Sequence, residues 1–248
     1  SPYYKWFTFR RWPDDYECWW GFKTLPNVNE MDEDYRRFIL EDDDSVVRHW
    51  VKKGTSGWRL DVADELPTAF LEAFAAAMRA YKPDCILLGE TWGDAGRRVS
   101  ANRLDSAMNY LFRDAAAAWL AKDALSASEF GCRLNRALAL YPNETNLRMY
   151  NLLDSHDTAR FLYEAGGDKA RLQLAAALQM TFPGSPAIFY GDEVGLSGKR
   201  AVIYDTNTYN LPTLRHVRAD QEIVLNAEGL HSEKGMIEDM MRQLDHPD

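Results

Sequence analysis

The order of strand and helix signals along the chain predicts an α/β fold with a parallel sheet. Short apolar segments of strand length alternate with amphipathic segments of helical spacing, and five such units can be distinguished. A carboxylate stands just past the end of four of the strands, at Asp61, at Glu90, at Asp157 and at the pair Asp192 and Glu193. In a (β/α)8 barrel, the residues at the carboxyl ends of the strands converge on one face. The sequence therefore predicts a (β/α)8 TIM-barrel type of fold with its acidic side chains gathered at that face.

Composition favours a globular protein that binds neither nucleic acid nor membrane. The 248 residues are 46% hydrophobic, which is enough to bury a sizeable core. A net charge of −9 and a pI of about 5.1 argue against nucleic acid and against anionic membrane surfaces. No apolar stretch approaches the ~20 residues of a transmembrane helix. Three cysteines without metal-ligand spacing are typical of reduced thiols and predict a cytoplasmic location: Cys18, Cys85 and Cys132.

The segment GWRLDVADELP, at residues 57–67, predicts a strand that ends on a carboxylate. Apolar and polar residues alternate up to Asp61, and Pro67 stands where a proline can open a helix. Arg59 precedes Asp61 by two residues, so both side chains lie on one face of the strand, where the guanidinium favours an ionised carboxylate. This arrangement suits a nucleophile, and it equally suits a structural ion pair.

The other elements are predicted from apolar spacing and from proline and glycine stop signals. Residues 1–29 are crowded with aromatic side chains and show little periodicity, which is typical of a long functional loop. In order, the remaining predictions are helical spacing over 34–53 with a break at the acidic run 41–44, a helix ending before Pro83, a strand at 85–88, a weaker strand at 104–110, two helical stretches within 112–140, a strand at 147–153, a helix ending at Pro183 and a strand at 186–190.

Acids at the ends of barrel strands can hydrolyse a glycosidic bond. A retaining glycosidase needs two carboxyl groups roughly 5–5.5 Å apart, which adjacent barrel strands can supply. Asp61 beside Arg59 suits the ionised nucleophile. Glu90, at the end of an apolar strand and beside Trp92, suits the protonated acid, because burial and neighbouring carboxylates raise the pKa of a carboxyl. His156 would add an imidazole able to bind sugar hydroxyls.

Each of these residues also has a structural explanation. Glu90 could cap a helix, His156 could be a core histidine, and Asp157 could be an acid favoured by a helix dipole. Their joint position at strand ends favours a site. Asp, Glu and His can also bind a divalent metal, but the sequence contains no H-x-H or H-E-x-x-H pattern. No G-x-G-x-x-G or Walker loop follows a strand, so nucleotide binding has no support.

Several motifs resemble those of the alpha-amylase superfamily, glycoside hydrolase family 13. GWRLDVADELP, LLGETWGD and NLLDSHDTAR are similar to three of its short conserved motifs. LPNVN at residues 25–29 is similar to the additional motif of its neopullulanase, cyclomaltodextrinase and maltogenic amylase group. AIFYGDEVGL at residues 187–196 resembles the last barrel strand of the family. The motifs stand in the family's order and cover about residues 1–198.

The resemblance implies a role for each matching residue. Asp61 would be the nucleophile, Glu90 the general acid/base and Asp157 the acid that stabilises the transition state. The implied chemistry is retaining hydrolysis of α-1,4 and in some members α-1,6 glucosidic bonds of maltooligosaccharides, cyclodextrins or pullulan. The residues implied in substrate binding are Arg59, His156, Asp64 and Glu65, of which the last two would face the acceptor side. No cofactor is predicted, and the sequence gives no support for a calcium site.

The chain also departs from the family pattern. The earliest motif, Asp-x-x-x-Asn-His on the third strand, is absent. The visible strands would therefore be the fourth to the eighth, with strands one to three missing. Residues 1–31 would be the remnant of the loop domain inserted after the third strand, and residues 32–198 a partial barrel. Residues 199–248 form an unassigned tail with a predicted strand at 201–204 and a predicted helix at 233–244.

An incomplete barrel leaves sheet edges and apolar surface exposed. We therefore expect the isolated chain to be weakly stable or to associate with another copy, and to have weak or no activity. A first alternative is a catalytically inactive protein that binds glucan or serves assembly. A second is an α-glucan transglycosylase of the same family.

Overall fold

The computed structural model describes residues 1–199 and the backbone of two later strands, Leu214–Arg218 and Gln221–Leu225. The chain divides into two compact units. The first comprises Ser1–Phe112, Cys132–Asn151 and Pro183–Pro186, and the second comprises Arg113–Gly131, Leu152–Phe182 and the described residues of Ala187–Asp248. The predicted strand at 201–204 and the predicted helix at 233–244 lie outside the described residues.

Short strands alternate with helices through most of the described chain. The strands are β1 (Phe9–Arg11), β2 (Asp15–Tyr16), β3 (Gly57–Leu60), β4 (Ile86–Gly89), β5 (Ser106–Ala107), β6 (Tyr150–Leu152), β7 (Ser185–Ala187), β8 (Leu214–Arg218) and β9 (Gln221–Leu225). The α-helices are α1 (Glu33–Arg36), α2 (Val46–Lys52), α3 (Thr68–Tyr81), α4 (Tyr110–Ala116), α5 (Ala127–Ala139), α6 (Asn143–Asn146), α7 (Phe161–Glu164) and α8 (Lys169–Thr181). Single π-helical turns extend α1 and α4, at Arg37–Glu41 and Ala117–Ala121.

The first unit is built on a parallel sheet, as the alternation of elements predicts. Strands β3, β4 and β5 are neighbours in that order, and both pairings are parallel. A parallel bridge from Met108 to Tyr150 links the end of β5 to β6, and β6 pairs with β7. A Cβ atom at Gly57 would collide with the backbone oxygen of Ile86, so glycine is required where β3 begins beside β4.

Helix α3 covers one face of this sheet. It begins directly after Pro67, where the sequence predicts a helix start. Its buried residues share one face and are Phe70, Leu71, Phe74, Ala75 and Met78. They form a core cluster with Leu40, Val47, Leu87 and Leu104, all of them buried. Full burial of one such large side chain stabilises the fold by about 1.5–3 kcal/mol, so this cluster holds β3 and β4 in place.

The aromatic segment before α1 is ordered by its own side chains. Tyr4 stacks on Phe9 with ring centroids 5.1 Å apart, and Trp12 meets Phe9 edge-on at 4.6 Å. Trp6 packs on Tyr35 of α1 with a centroid distance of 5.3 Å. Aromatic packing therefore replaces long strands or helices in this loop, in agreement with its lack of periodicity.

The second unit packs α7 and α8 around the end of α4. Phe161 and Ala175 are fully buried. Arg113 donates from Nη2 to Glu164 at 2.7 Å, and Arg171 donates from Nη1 to the Leu120 carbonyl at 2.9 Å. A buried guanidinium, that of Arg113, and a partly exposed one, that of Arg171, thus connect segments that are distant in sequence.

Several strands differ from their sequence predictions. The weak strand predicted over 104–110 contains only the two residues of β5, because α4 already begins at Tyr110. The continuous apolar run at 85–88 is typical of a strand covered on both faces, but β4 is not covered in this way among the described residues. Leu87 is fully buried, whereas its neighbour Ile86 is 60% exposed, because in this part of the chain only one face of β4 has a helix against it. Among the described residues, every helix is too short or too polar to cross a membrane.

Candidate active site

Arg59, Asp61 and Glu90 meet at the carboxyl ends of two adjacent parallel strands. Arg59 lies in β3, Asp61 follows β3, and Glu90 follows β4 in matching register. Arg59 Nη1 forms an ion pair with Oδ1 of Asp61, and its Nη2 lies 3.2 Å from Oε2 of Glu90. One guanidinium therefore contacts both carboxyl groups.

The two carboxyl groups lie in opposite environments. The side chain of Asp61 is 73% exposed and that of Glu90 is 5% exposed. Burial raises the pKa of Glu90 above its usual range, and the neighbouring Asp61 carboxylate raises it further. The Val62 N–H and Arg59 oppose this rise. The arrangement thus pairs an accessible acid with a buried one that binds its proton more tightly than an exposed glutamate does.

The turn after β3 is fastened to Glu90 by three hydrogen bonds. The Glu90 N–H donates to the Leu60 carbonyl at 2.9 Å, and the Ala63 N–H donates to the Glu90 carbonyl at 3.0 Å. The Val62 N–H donates to Oε2 of Glu90 at 2.9 Å. Val62 has a φ of 45°, a left-handed conformation that is strained for a β-branched residue. The fold therefore holds a strained turn that directs a backbone donor at the buried carboxylate.

The next two acids of the turn contact aromatic residues. Asp64 accepts from the backbone N–H of Trp92 at 3.2 Å. Glu65 accepts from the indole nitrogens of Trp19 at 3.1 Å and Trp20 at 2.9 Å. Trp20 is 73% exposed, so Glu65 holds an accessible indole beside the turn. The sequence pattern does not predict the contacts of Trp19 and Trp20 with Glu65. Only the abundance of aromatic residues in 1–29 points to these two tryptophans.

His156 and Asp157 lie in the second unit, in the turn after β6. His156 Nε2 is 3.1 Å from Oδ2 of Asp157, with the histidine side chain 65% and the aspartate side chain 28% exposed. The turn is fixed internally, because the Ser155 N–H donates to the Thr158 hydroxyl at 2.9 Å. The backbone N–H of Asp157 donates to the Ser155 hydroxyl at 3.2 Å.

A second acidic cluster, which the sequence did not predict, lies at the base of this turn. Asp154 is fully buried at its side chain, and its Oδ1 is 3.8 Å from Nη1 of Arg160. The same nitrogen donates to Oδ1 of Asp192 at 3.2 Å. Burial, followed by the charge of Asp192, raises the pKa of Asp154 to about 7. Asp192, one of the strand-end acids in the sequence, thus forms a structural ion pair.

The predicted site residues therefore fall into two groups. The first unit brings together Arg59, Asp61 and Glu90, with Asp64 and Glu65 in the adjoining turn. The second unit brings together His156 and Asp157. Among residues 1–199, no cluster of three or more His, Cys, Asp or Glu side chains is arranged to hold a metal ion.

The family model for the alpha-amylase catalytic domain matches residues 3–243. The chain belongs to the alpha-amylase family. The match extends past Gly198, where the motifs recognisable in the sequence end. Membership confirms the predicted family and indicates a TIM-barrel-like fold.

Curated relatives of this family member are glycoside hydrolases. The cyclomaltodextrinase of Geobacillus thermopakistaniensis strain MAS1 is 36% identical over 231 residues, which are 88% of this chain and 39% of the relative. Neopullulanase 2 of Thermoactinomyces vulgaris is 34% identical over 223 residues, which are 85% of this chain and 37% of the relative. The chain thus spans less than half the length of these relatives.

Solved structures of alpha-amylase family enzymes superpose on the chain. The acarbose-soaked debranching enzyme of Nostoc punctiforme has a TM-score of 0.75 at 36% identity, covering 81% of this chain and 47% of that one. The cyclic α-maltosyl-(1→6)-maltose hydrolase of Arthrobacter globiformis, without ligand, has a TM-score of 0.76 at 33% identity, covering 81% and 46%.

Proposed function

We propose that this chain carries the catalytic carboxyl groups of a retaining glycoside hydrolase that acts on α-glucosidic bonds of maltooligosaccharides, cyclodextrins or pullulan. The observation that carries the proposal is the shared guanidinium of Arg59, which contacts an exposed Asp61 and a buried Glu90. Double displacement requires one ionised and one protonated carboxyl group on neighbouring strands. The names of the relatives support the substrate class.

In the first step, Asp61 attacks the anomeric carbon while Glu90 gives its proton to the glycosidic oxygen. The bond between the anomeric carbon and that oxygen breaks, the shortened glucan leaves, and a glycosyl ester forms on Asp61. In the second step, Glu90, now ionised, takes a proton from water as the water oxygen attacks the same carbon. The ester bond breaks, and both carboxyl groups return to their starting states.

Arg59 supports both steps from one position. Its guanidinium forms an ion pair with Asp61 and holds that side chain beside Glu90 before attack. It also stabilises the carboxylate that Glu90 becomes after donating its proton. Because one group contacts both side chains, the charge that moves between them stays close to a fixed counter-ion.

Asp157 and His156 are proposed to act on the sugar in the −1 subsite. Asp157 would stabilise the positive charge that develops on the sugar ring, and His156 would bind a hydroxyl. Their 3.1 Å contact and the exposed imidazole support these roles. The family places such a pair in the same motif, after the strand that here is β6.

Asp64, Glu65 and the tryptophans they hold are proposed to form the acceptor side. Trp20 presents an exposed indole beside the turn, and sugar rings pack well on such faces. The debranching and α-(1→6) names among the structural neighbours favour activity on α-1,6 as well as α-1,4 bonds.

The proposal is tested with Asp61→Asn and Glu90→Gln variants of the full chain, assayed on maltotriose, β-cyclodextrin and pullulan. The hydrolysis rate of each variant should be about 10²–10⁴-fold lower than that of the parent chain. Asp84→Asn is the control, because Asp84 is an acid with an 81% exposed side chain away from the site. Binding of maltotriose by parent and variants, with no turnover by any of them, would favour the glucan-binding alternative.

A further inference from the structure

The turn that carries His156 and Asp157 is closed at its base by buried charges. The turn spans residues 155–159, and Asp154 and Arg160 are the residues at its two ends. Their side chains approach to 3.8 Å, and the side chain of Arg160 is only 12% exposed. The Arg160 N–H donates to the Gly198 carbonyl at 2.9 Å, which fixes the second end of the turn.

One oxygen of Asp154 is unsatisfied in the ionised form. Oδ2 accepts from the Phe161 N–H at 2.7 Å and thereby caps α7. Oδ1 is buried and has no hydrogen-bond donor within reach among the described residues. Buried carboxylate oxygens are normally paired, so this atom requires an explanation. A proton on Oδ1 supplies it, because the Asp192 carboxylate lies within hydrogen-bonding reach of the Asp154 carboxyl group and can accept a hydrogen bond from it.

We propose that Asp154, Arg160 and Asp192 form a clasp that positions Asp157: protonated Asp154 donates to Asp192, and Arg160 neutralises the one charge that the two acids retain. The inference rests on the proposed function only in assigning a purpose to Asp157. Asp154, Arg160 and Asp192 touch no reacting atom and are positioning residues.

The charged groups around the clasp are consistent with one proton shared between Asp154 and Asp192. Asp154 faces Asp192 and Arg160, and Glu193 adds a further negative charge near Asp192. Arg113 donates to the neighbouring Leu153 carbonyl at 3.3 Å, but its charge is already matched by Glu164 and Asp114. Arg160 is therefore the cation available to the clasp, and loss of the proton would leave two buried carboxylates facing it.

The clasp makes the stability of the turn depend on pH. Burial raises the pKa of Asp154 from 3.8 to about 7, so the folded chain holds a proton that the unfolded chain releases. The stabilisation is complete below the unfolded pKa and is lost as pH rises through the folded one. Between about pH 4 and 7 the unfolding equilibrium constant should rise by up to tenfold per pH unit. Above that range the turn should open more readily.

The test compares Asp154→Asn, Asp192→Asn and the double variant in the full chain. An asparagine at either position keeps one N–H donor between the two side chains and leaves one carboxylate for Arg160. Each single variant should therefore lose this pH slope in urea unfolding. The double variant leaves Arg160 without a counter-charge and should be less stable than the two single effects predict. Asp84→Asn is the matched control and should keep the slope.

Hydrogen exchange of residues 155–159, corrected for intrinsic rates, reports the turn itself without any substrate. The parent should lose protection between about pH 4 and 7, whereas both single variants should stay protected. Asp154→Ala, which cannot donate, should be unprotected throughout. A slope that persists in both single variants, or equal exchange in all variants, would overturn the clasp. Because none of these measurements uses glucan, their outcome is independent of whether the chain hydrolyses one.

Discussion

Arg59 contacts both acids in the first unit, because its two terminal nitrogens reach different carboxyl groups. A planar guanidinium can bridge two partners in this way, whereas a lysine ammonium is a single point charge. In the proposed mechanism, burial favours the protonated form of Glu90, and Arg59 is the counter-charge for the carboxylate that forms when Glu90 gives up its proton.

Replacement of Arg59 by lysine should separate these effects. In the parent chain, Arg59 lowers the pKa of Glu90. Arg59→Lys should remove the contact with Glu90, so the pKa of Glu90 should rise further. The pKa is measured by carbon-detected NMR titration of glutamate carboxyls, and activity on an activated maltosyl substrate should fall about 10²-fold. Arg97→Lys, at an exposed arginine, is the control. An unchanged Glu90 titration would show that Arg59 does not act on it.

Val62 carries strain that a glycine would relieve. Its left-handed φ of 45° costs a non-glycine residue roughly 1–2 kcal/mol. A glycine avoids this cost, but its more flexible unfolded state offsets about 0.5–1 kcal/mol of the gain. Val62→Gly should therefore raise the free energy of unfolding by about 0.5–1 kcal/mol in urea titrations. Val62→Ala keeps its Cβ and should give no such gain. A destabilised glycine variant would contradict the strained conformation.

At the scale of elements, the packing of β4 against the turn after β3 places Glu90. Gly89 precedes Glu90, and a Cβ at that position would lie 3.0 Å from the Cβ of Ala63 and collide with the Leu104 side chain. The close approach of β4 to this turn therefore requires a residue without a side chain.

Gly89→Ala should destabilise the chain by about 1–3 kcal/mol, the usual cost of overpacking a well-filled core. Gly93→Ala is a matched control, because a Cβ at Gly93 would meet no atom within 4 Å. Both variants are compared in urea unfolding. Equal stability of the two would mean that β4 can move away from the turn without cost.

The elements differ in how much of them the sequence could predict. The alternation up to Asp61 predicted β3 and the acid at its end, and Pro67 predicted the start of α3, because these signals are local. The left-handed Val62 and the indole contacts of Glu65 were not predictable, since they depend on residues 28 to 46 positions away. The clasp was missed for the same reason, as Arg160 meets Asp192 across 32 positions.

At the scale of the whole molecule, the described surface carries large exposed apolar side chains. Ile86 is 60% exposed in β4, and Ile188 and Val194 in the second unit are 54% and 71% exposed. Exposed apolar surface on a sheet favours association. Association with another copy of the chain therefore stays a prediction that can be measured directly.

Ile86→Glu should weaken self-association in sedimentation velocity experiments across a range of chain concentrations. The charge faces water in the monomer, so the fold should change by less than about 0.5 kcal/mol. Lys53→Glu, at an exposed position outside the sheet, is the control. A parent chain that remains monomeric at all concentrations would contradict the prediction.

The central claim is that Asp61 is the nucleophile and Glu90 the acid/base of one retaining site. The most direct measurement is mass spectrometry of the Glu90→Gln chain after incubation with α-maltosyl fluoride. Fluoride leaves without protonation, so Asp61 can still form the ester, while the missing base prevents its hydrolysis. One maltosyl adduct should accumulate on the peptide that contains Asp61, and none should form when Asp61→Asn is added. An adduct on another residue, or maltotriose binding with no adduct at all, would contradict the claim.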